Sequence, residues 1–123
     1  MKTDVSYVAL PATDSLSNFA RRRVEAAFSV HEEKIDSVHI CLSAVTEARS
    51  GNDKSCRVQV NLEDGRKVAL EILESDSRVA IHRAVDRASW VTGRQLQRGM
   101  RQSSFASLIA RQANVESLRE RAA

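Results

Sequence analysis

The chain has 123 residues, 42% hydrophobic and 28% charged, with a formal net charge of +3 and a pI near 9.2. These are the proportions of one ordinary globular domain, long enough to bury a real core. No stretch approaches the roughly 20 apolar residues of a membrane span, and two cysteines are too few for a disulfide framework. The mildly basic balance permits a polyanionic partner without demanding one. No apolar run follows Met1–Asp4, so no signal peptide is expected, and the reduced cysteines fit the cytoplasm. Aromatics make up only 4%, so Val, Ile, Leu and Ala must build the core.

Residues 3–8 read as a short first strand that Pro11 ends. Thr13, Asp14 and Ser15 offer N-caps, and a helix follows to about Phe28. Its apolar stripe is Leu16, Phe19, Ala20, Val24, Ala27 and Phe28. Arg21, Arg22 and Arg23 sit together in its middle. Arg22 lies well outside the stripe and should face solvent. Arg23 falls at the stripe's margin and should extend its head outward. Residues 31–36 are a polar connection. Residues 37–46 then alternate, with Val38, Ile40 and Leu42 on one face and His39, Cys41 and Ser43 on the other, as in a half-buried strand. A turn-rich loop over 47–54 leads to a strand with Cys56, Val58, Val60 and Leu62 inward. Asp64-Gly65 is a hairpin signal. Its partner strand, 67–74, has Val68, Leu70 and Ile72 inward.

Ser75 or Asp76 caps a second helix, Asp76–Arg98. At about 100° per residue, Ile81, Ala84, Val85, Ala88 and Thr92 gather on one side. Arg83, Arg87, Trp90, Arg94 and Arg98 fall opposite, within an arc of roughly 80°. A polar face free of acids and carrying the only tryptophan suits contact with phosphates and bases. The plainer reading is a solvated face with Trp90 covered by the tail or by a second subunit. Gly93 and Gly99 weaken the far end of the helix. Residues 100–123 form a C-terminal tail, partly helical or disordered, in which Phe105, Leu108 and Ile109 could make a short amphipathic turn. The order β-α-β-β-β-α predicts an α+β fold. One crossover permits a parallel first pair, the later strands form an antiparallel meander, and both helices pack on one face of a four-stranded sheet.

The chain carries no phosphate loop, no dinucleotide fingerprint and no zinc-protease motif. His39 and Cys41 share a strand face, but no second ligand pair has zinc spacing. Cys41 and Cys56 belong to opposite faces, which argues against a bridge. His31 and His82 have no identifiable nucleophile or carboxylate partner, and Glu32 and Glu33 read as solvated surface. No catalytic residues, cofactor or metal site are expected.

The ordered set of elements and residues resembles the ribosome hibernation factors, namely the short bacterial forms of hibernation-promoting factor and ribosome-associated inhibitor. Thr13, Leu16, Phe19 and Arg23 stand at that family's helix-one spacings. Val38, Ile40 and Leu42 match its second strand, and Asp64-Gly65 matches its hairpin turn. Asp76 and the run Ala80-Ile81-His82-Arg83-Ala84-Val85-Asp86-Arg87 follow its second helix, with His82 in place of an acid and Arg87 in place of Lys. Ala26, Val91-Thr92 and Gly93 depart from the pattern. The resemblance covers roughly residues 3–98. It implies a fold similar to a double-stranded-RNA-binding domain, with residues 1–99 as a ribosome-binding domain. It also implies that the protein binds ribosomal RNA of the small subunit in the channel between head and body. There it would block messenger and transfer RNA during stress. Arg22, Arg23, Arg83, Arg87, Trp90, Arg94 and Arg98 are the expected RNA-binding residues. The alternative is a protein–protein module, acting through a weak homodimer or an adaptor contact at a sheet edge or at Trp90, with no RNA partner.

Overall fold

The structure, a computed structural model, describes residues 1–45 and 53–108, with side chains as far as Arg98. The elements in chain order are β1 (Lys2–Val8), α1 (Asp14–Phe28), a 3-10 turn (Ser29–Lys34), β2 (Ile35–Ala44), β3 (Lys54–Leu62), β4 (Lys67–Glu74) and α2 (Ser77–Leu108). The chain divides into two units, Met1–Trp90 and Val91–Ala123, and α2 contributes to both.

The first unit holds a four-stranded sheet in the order β1-β2-β3-β4. β1 runs parallel to β2, and the other pairs are antiparallel. The α+β fold and the β-α-β-β-β-α order expected from the periodicities are both present. One row of side chains explains the layering. Tyr7, Leu42, Cys56 and Ile72 are register partners across all four strands. Side chains in one row share a face. At one end of the row, the Tyr7 hydroxyl lies 2.7 Å from Ser17 Oγ of α1. At the other end, Ile72 borders Arg83, Arg87 and Trp90 of α2. Both helices therefore cover the same face. Beneath them Val38, Ile40, Leu42, Cys56, Val58 and Val60 are buried, together with Ala20, Val24 and Phe28 of α1 and Ala80, Ile81, Ala84, Val85 and Ala88 of α2. The opposite face remains open, with His39, Arg57 and Glu71 exposed.

Caps and turns fix the element ends. Thr13 Oγ1 accepts from Leu16 N at 3.2 Å at the start of α1. Asp76, rather than Ser75, caps α2. Its Oδ1 accepts from Arg78 N at 2.8 Å and from Val79 N at 3.2 Å. These bonds satisfy amides that a helix start leaves without partners. The β3–β4 hairpin closes where Leu62 N donates to Arg66 O at 2.8 Å, with Gly65 at φ 93°. That left-handed angle is open to Gly at no steric cost.

Two expectations on element bounds are corrected. β2 begins at Ile35 rather than Ser37, because a bulge between Ile35 and Ser37 shifts the alternation. The extra residue turns Ile35 inward opposite Leu62, where it is fully buried. α2 does not end at Arg98 but continues through Gly93 and Gly99 to Leu108. Each glycine costs about 1 kcal/mol in a helix. That is less than the roughly 1.5–3 kcal/mol from burying one large apolar side chain, and in the second unit Leu96 is buried. Phe105 and Leu108 thus belong to α2, while the loop over 46–52, Ile109 and the rest of the expected tail lie outside the described residues.

Candidate nucleic-acid interface

The outer flank of α2 gathers Arg83, Arg87 and Trp90. All three are exposed, Trp90 at 58%. The stripe Ala80, Ile81, Ala84, Val85 and Ala88 turns inward, so the helical period forces Arg83, Arg87 and Trp90 outward. Together with Ile72 of β4 and Asp86 they line a shallow depression of about 400 Å³. Its lining combines one apolar side chain, one aromatic ring, two guanidinium groups and one carboxylate.

The flank is not free of acids, as the wheel of α2 alone suggested. Arg83 Nη1 donates to Glu74 Oε1 of β4 at 2.5 Å, and Asp86 borders the same depression. Two carboxylates thus accompany the two arginines. Glu74 holds one edge of the Arg83 guanidinium, which has five N–H donors in all. Arg87 forms no ion pair among the described residues.

Arg22 and Arg23 do not join this flank. α1 meets α2 through Ser89 Oγ, which donates to Ala27 O at 2.9 Å. Arg78 Nη2 adds a bond to Ser15 Oγ at 2.7 Å, and its guanidinium lies 4.9 Å from the Phe19 ring centre. Arg78 and Ser89 lie roughly 120–180° around α2 from Arg83 and Arg87. The arginine flank therefore faces away from α1 and toward the β4 edge. The three consecutive arginines of α1 have three different surroundings. Arg21 Nη1 donates to Thr3 O of β1 at 2.7 Å. Arg22 is exposed, as expected. Arg23, one turn from both Phe19 and Ala27, sits on the side of α1 facing α2. It is half-buried, and its Nε is buried without a partner among the described residues. In the second unit Arg94 and Arg98 are both exposed. Of the expected RNA-binding residues in the first unit, exposed Arg22 on α1 thus stands apart from Arg83, Arg87 and Trp90 on α2.

The open sheet face holds a polar chain that the sequence did not reveal. Asp4 Oδ2 lies 3.2 Å from His39 Nδ1, and His39 Nε2 lies 3.2 Å from Ser37 Oγ. Ser37 Oγ also accepts from Asn61 Nδ2 at 2.8 Å, and Asn61 Oδ1 accepts from Gln59 Nε2 at 3.0 Å. The order carboxylate–imidazole–hydroxyl resembles an acid–base relay. Its serine, however, is buried and accepts a hydrogen bond from the Asn61 amide. The chain therefore acts as a clamp across β1, β2 and β3. The parallel register that puts Asp4 opposite His39 creates it, and no spacing within one strand could have signalled it. Among the described residues no cluster of three or more His, Cys, Asp or Glu could hold a metal ion. Cys41 and Cys56 are both free thiols on opposite faces. Burial, with a smaller push from Cys41, raises the Cys56 thiol from 9.0 to about 12. No described helix is long and apolar enough to cross a membrane.

No protein-family model matches the chain, and no curated protein sequence does. Solved structures do. The N-terminal domain of Protein Y from Thermus thermophilus superposes with a TM-score of 0.63 at 23% identity, over 76% of this chain and 98% of that one. A ribosomal subunit interface protein from Coxiella burnetii gives 0.65 at 11% identity, over 76% of this chain and 96% of that one. At these identities the likeness is one of fold.

Proposed function

We propose that the chain binds the small ribosomal subunit through ribosomal RNA and holds the ribosome idle by occupying messenger and transfer RNA sites. The observation that carries this reading is the α2 flank, where Arg83 and Arg87 border an exposed Trp90. The fold, shared with a ribosomal subunit interface protein, supports it. Folded RNA is recognised by shape and phosphate more than by base edges in its deep groove. Arginine provides bidentate phosphate contacts, and an aromatic ring provides stacking. Occlusion needs no catalytic group and no cofactor. Arg22 on α1 would make a second contact, and Arg94 and Arg98 would add charge farther along α2.

The competing reading is a protein–protein contact at the same flank. The local charge balance favours it, because Glu74 and Asp86 offset Arg83 and Arg87. An exposed Trp beside Arg is also common at the centre of protein interfaces. The variant Arg83→Glu with Arg87→Glu, carried in a normally folded chain, tests the site. Loss of binding to small subunits is expected. Unchanged binding would remove this flank from the account.

A further inference from the structure

We infer that the depression beside Trp90 takes a single unstacked guanine base of RNA, an inference that rests on the RNA-binding reading above. Its 400 Å³ lies within the range of about 300–1,000 Å³ typical of small-molecule sites, so one nucleotide can occupy it. Ile72 and the exposed Trp90 line it and would supply the apolar contact and the ring that a base stacks on. Arg87, and the donors of Arg83 that Glu74 does not engage, line the same depression and would contact the flanking phosphates.

Asp86 decides which base. A site for phosphate alone gains nothing from a carboxylate at its edge, because like charges repel. Asp86 stands one helical turn before Trp90 and enters no ion pair among the described residues. An ionised carboxylate only accepts hydrogen bonds. The guanine Watson–Crick edge presents two neighbouring donors, N1–H and N2–H, which match the two carboxylate oxygens. Cytosine and adenine present one amino group beside an acceptor. Uracil presents one imino N–H between two carbonyl oxygens, which the carboxylate would repel. The expected order is therefore guanine first and uracil last.

The chain has a single tryptophan, so its emission reports on this depression. The probes are short single-stranded RNAs, one all uridine and one with a single central guanosine, titrated at low salt into the intact protein. The guanosine RNA should quench Trp90 at about tenfold lower concentration, the size expected of one bidentate base contact. Asp86→Asn, on an exposed position, should shrink that ratio to about threefold or less. Equal quenching by both RNAs, quenching by neither, or an unchanged ratio in Asp86→Asn overturns the inference. Co-sedimentation of the same protein with small subunits separates the two failures. Salt-sensitive binding without base preference removes only the guanine site. Absence of both removes the RNA-binding reading as well.

Discussion

Arg83 of α2 donates to Glu74 of β4, so the strongest candidate for a phosphate contact is already held by an acid of its own fold. Arg83 is more than half exposed, and pairs of that kind contribute about 0.2–1 kcal/mol. Glu74→Gln should therefore lower stability by no more than about 1 kcal/mol in urea unfolding. It should also tighten low-salt binding to small subunits, because it removes a negative charge beside the site. Weaker binding by the variant would mean that Glu74 serves mainly to aim Arg83.

The two helix caps differ in the number of amides they satisfy. Asp76 accepts two amide bonds and Thr13 accepts one. Replacing a cap by Ala costs about 0.5–2 kcal/mol. Asp76→Ala should lie toward the upper end of that range and Thr13→Ala toward the lower. Chemical denaturation of the two variants checks the order. Equal costs would mean that the second amide bond contributes nothing.

The cysteines should react at very different rates. Cys41 lies half-buried on the open face, while Cys56 is fully buried, and its thiol is pushed up to about 12. A thiol reagent near neutral pH should modify Cys41 at once and Cys56 only as the chain unfolds, since the thiolate is the reactive form. The same shift affects stability. Above about pH 9 the unfolded chain loses the Cys56 proton while the folded chain keeps it until about 12. The folded state then binds more protons, so stability falls with rising pH across that window. Cys56→Ala should flatten this part of the profile. An unaltered slope would assign it to other groups.

The core should be least tolerant where α1 meets the sheet. Among the described residues, Phe28 is the largest fully buried side chain. Phe28→Ala should cost about 3–5 kcal/mol. A loss below about 1 kcal/mol in a thermal or urea unfolding series would show that the site collapses around the smaller residue.

Much of this fold is legible in its periodicities. The period of two at Val38, Ile40 and Leu42 and the Asp64-Gly65 turn fix the meander, because each depends only on neighbours along the chain. Features that depend on distant residues are not legible. The bulge before Ser37 exists because Ile35 must meet Leu62 on another strand. The Asp4–His39–Ser37 chain exists because β1 lies parallel to β2. A helical wheel places Arg83 outward correctly, but it cannot show that Glu74 of β4 waits there. Nor can it show that α1 lies on the far side of α2 and so keeps Arg22 away from Arg83. Nor does a glycine mark where α2 ends, since Gly93 and Gly99 each cost only about 1 kcal/mol and the helix continues to Leu108.

The most direct measurement is co-sedimentation of the full chain with separated ribosomal subunits across a salt series. Phosphate-driven contact predicts binding to the small subunit that weakens steeply, by roughly 0.7–0.9 log units per neutralised phosphate for each log unit of salt. Absence of small-subunit binding at low salt, or binding indifferent to salt, would contradict the account and leave the Trp90 flank as a protein-contact surface.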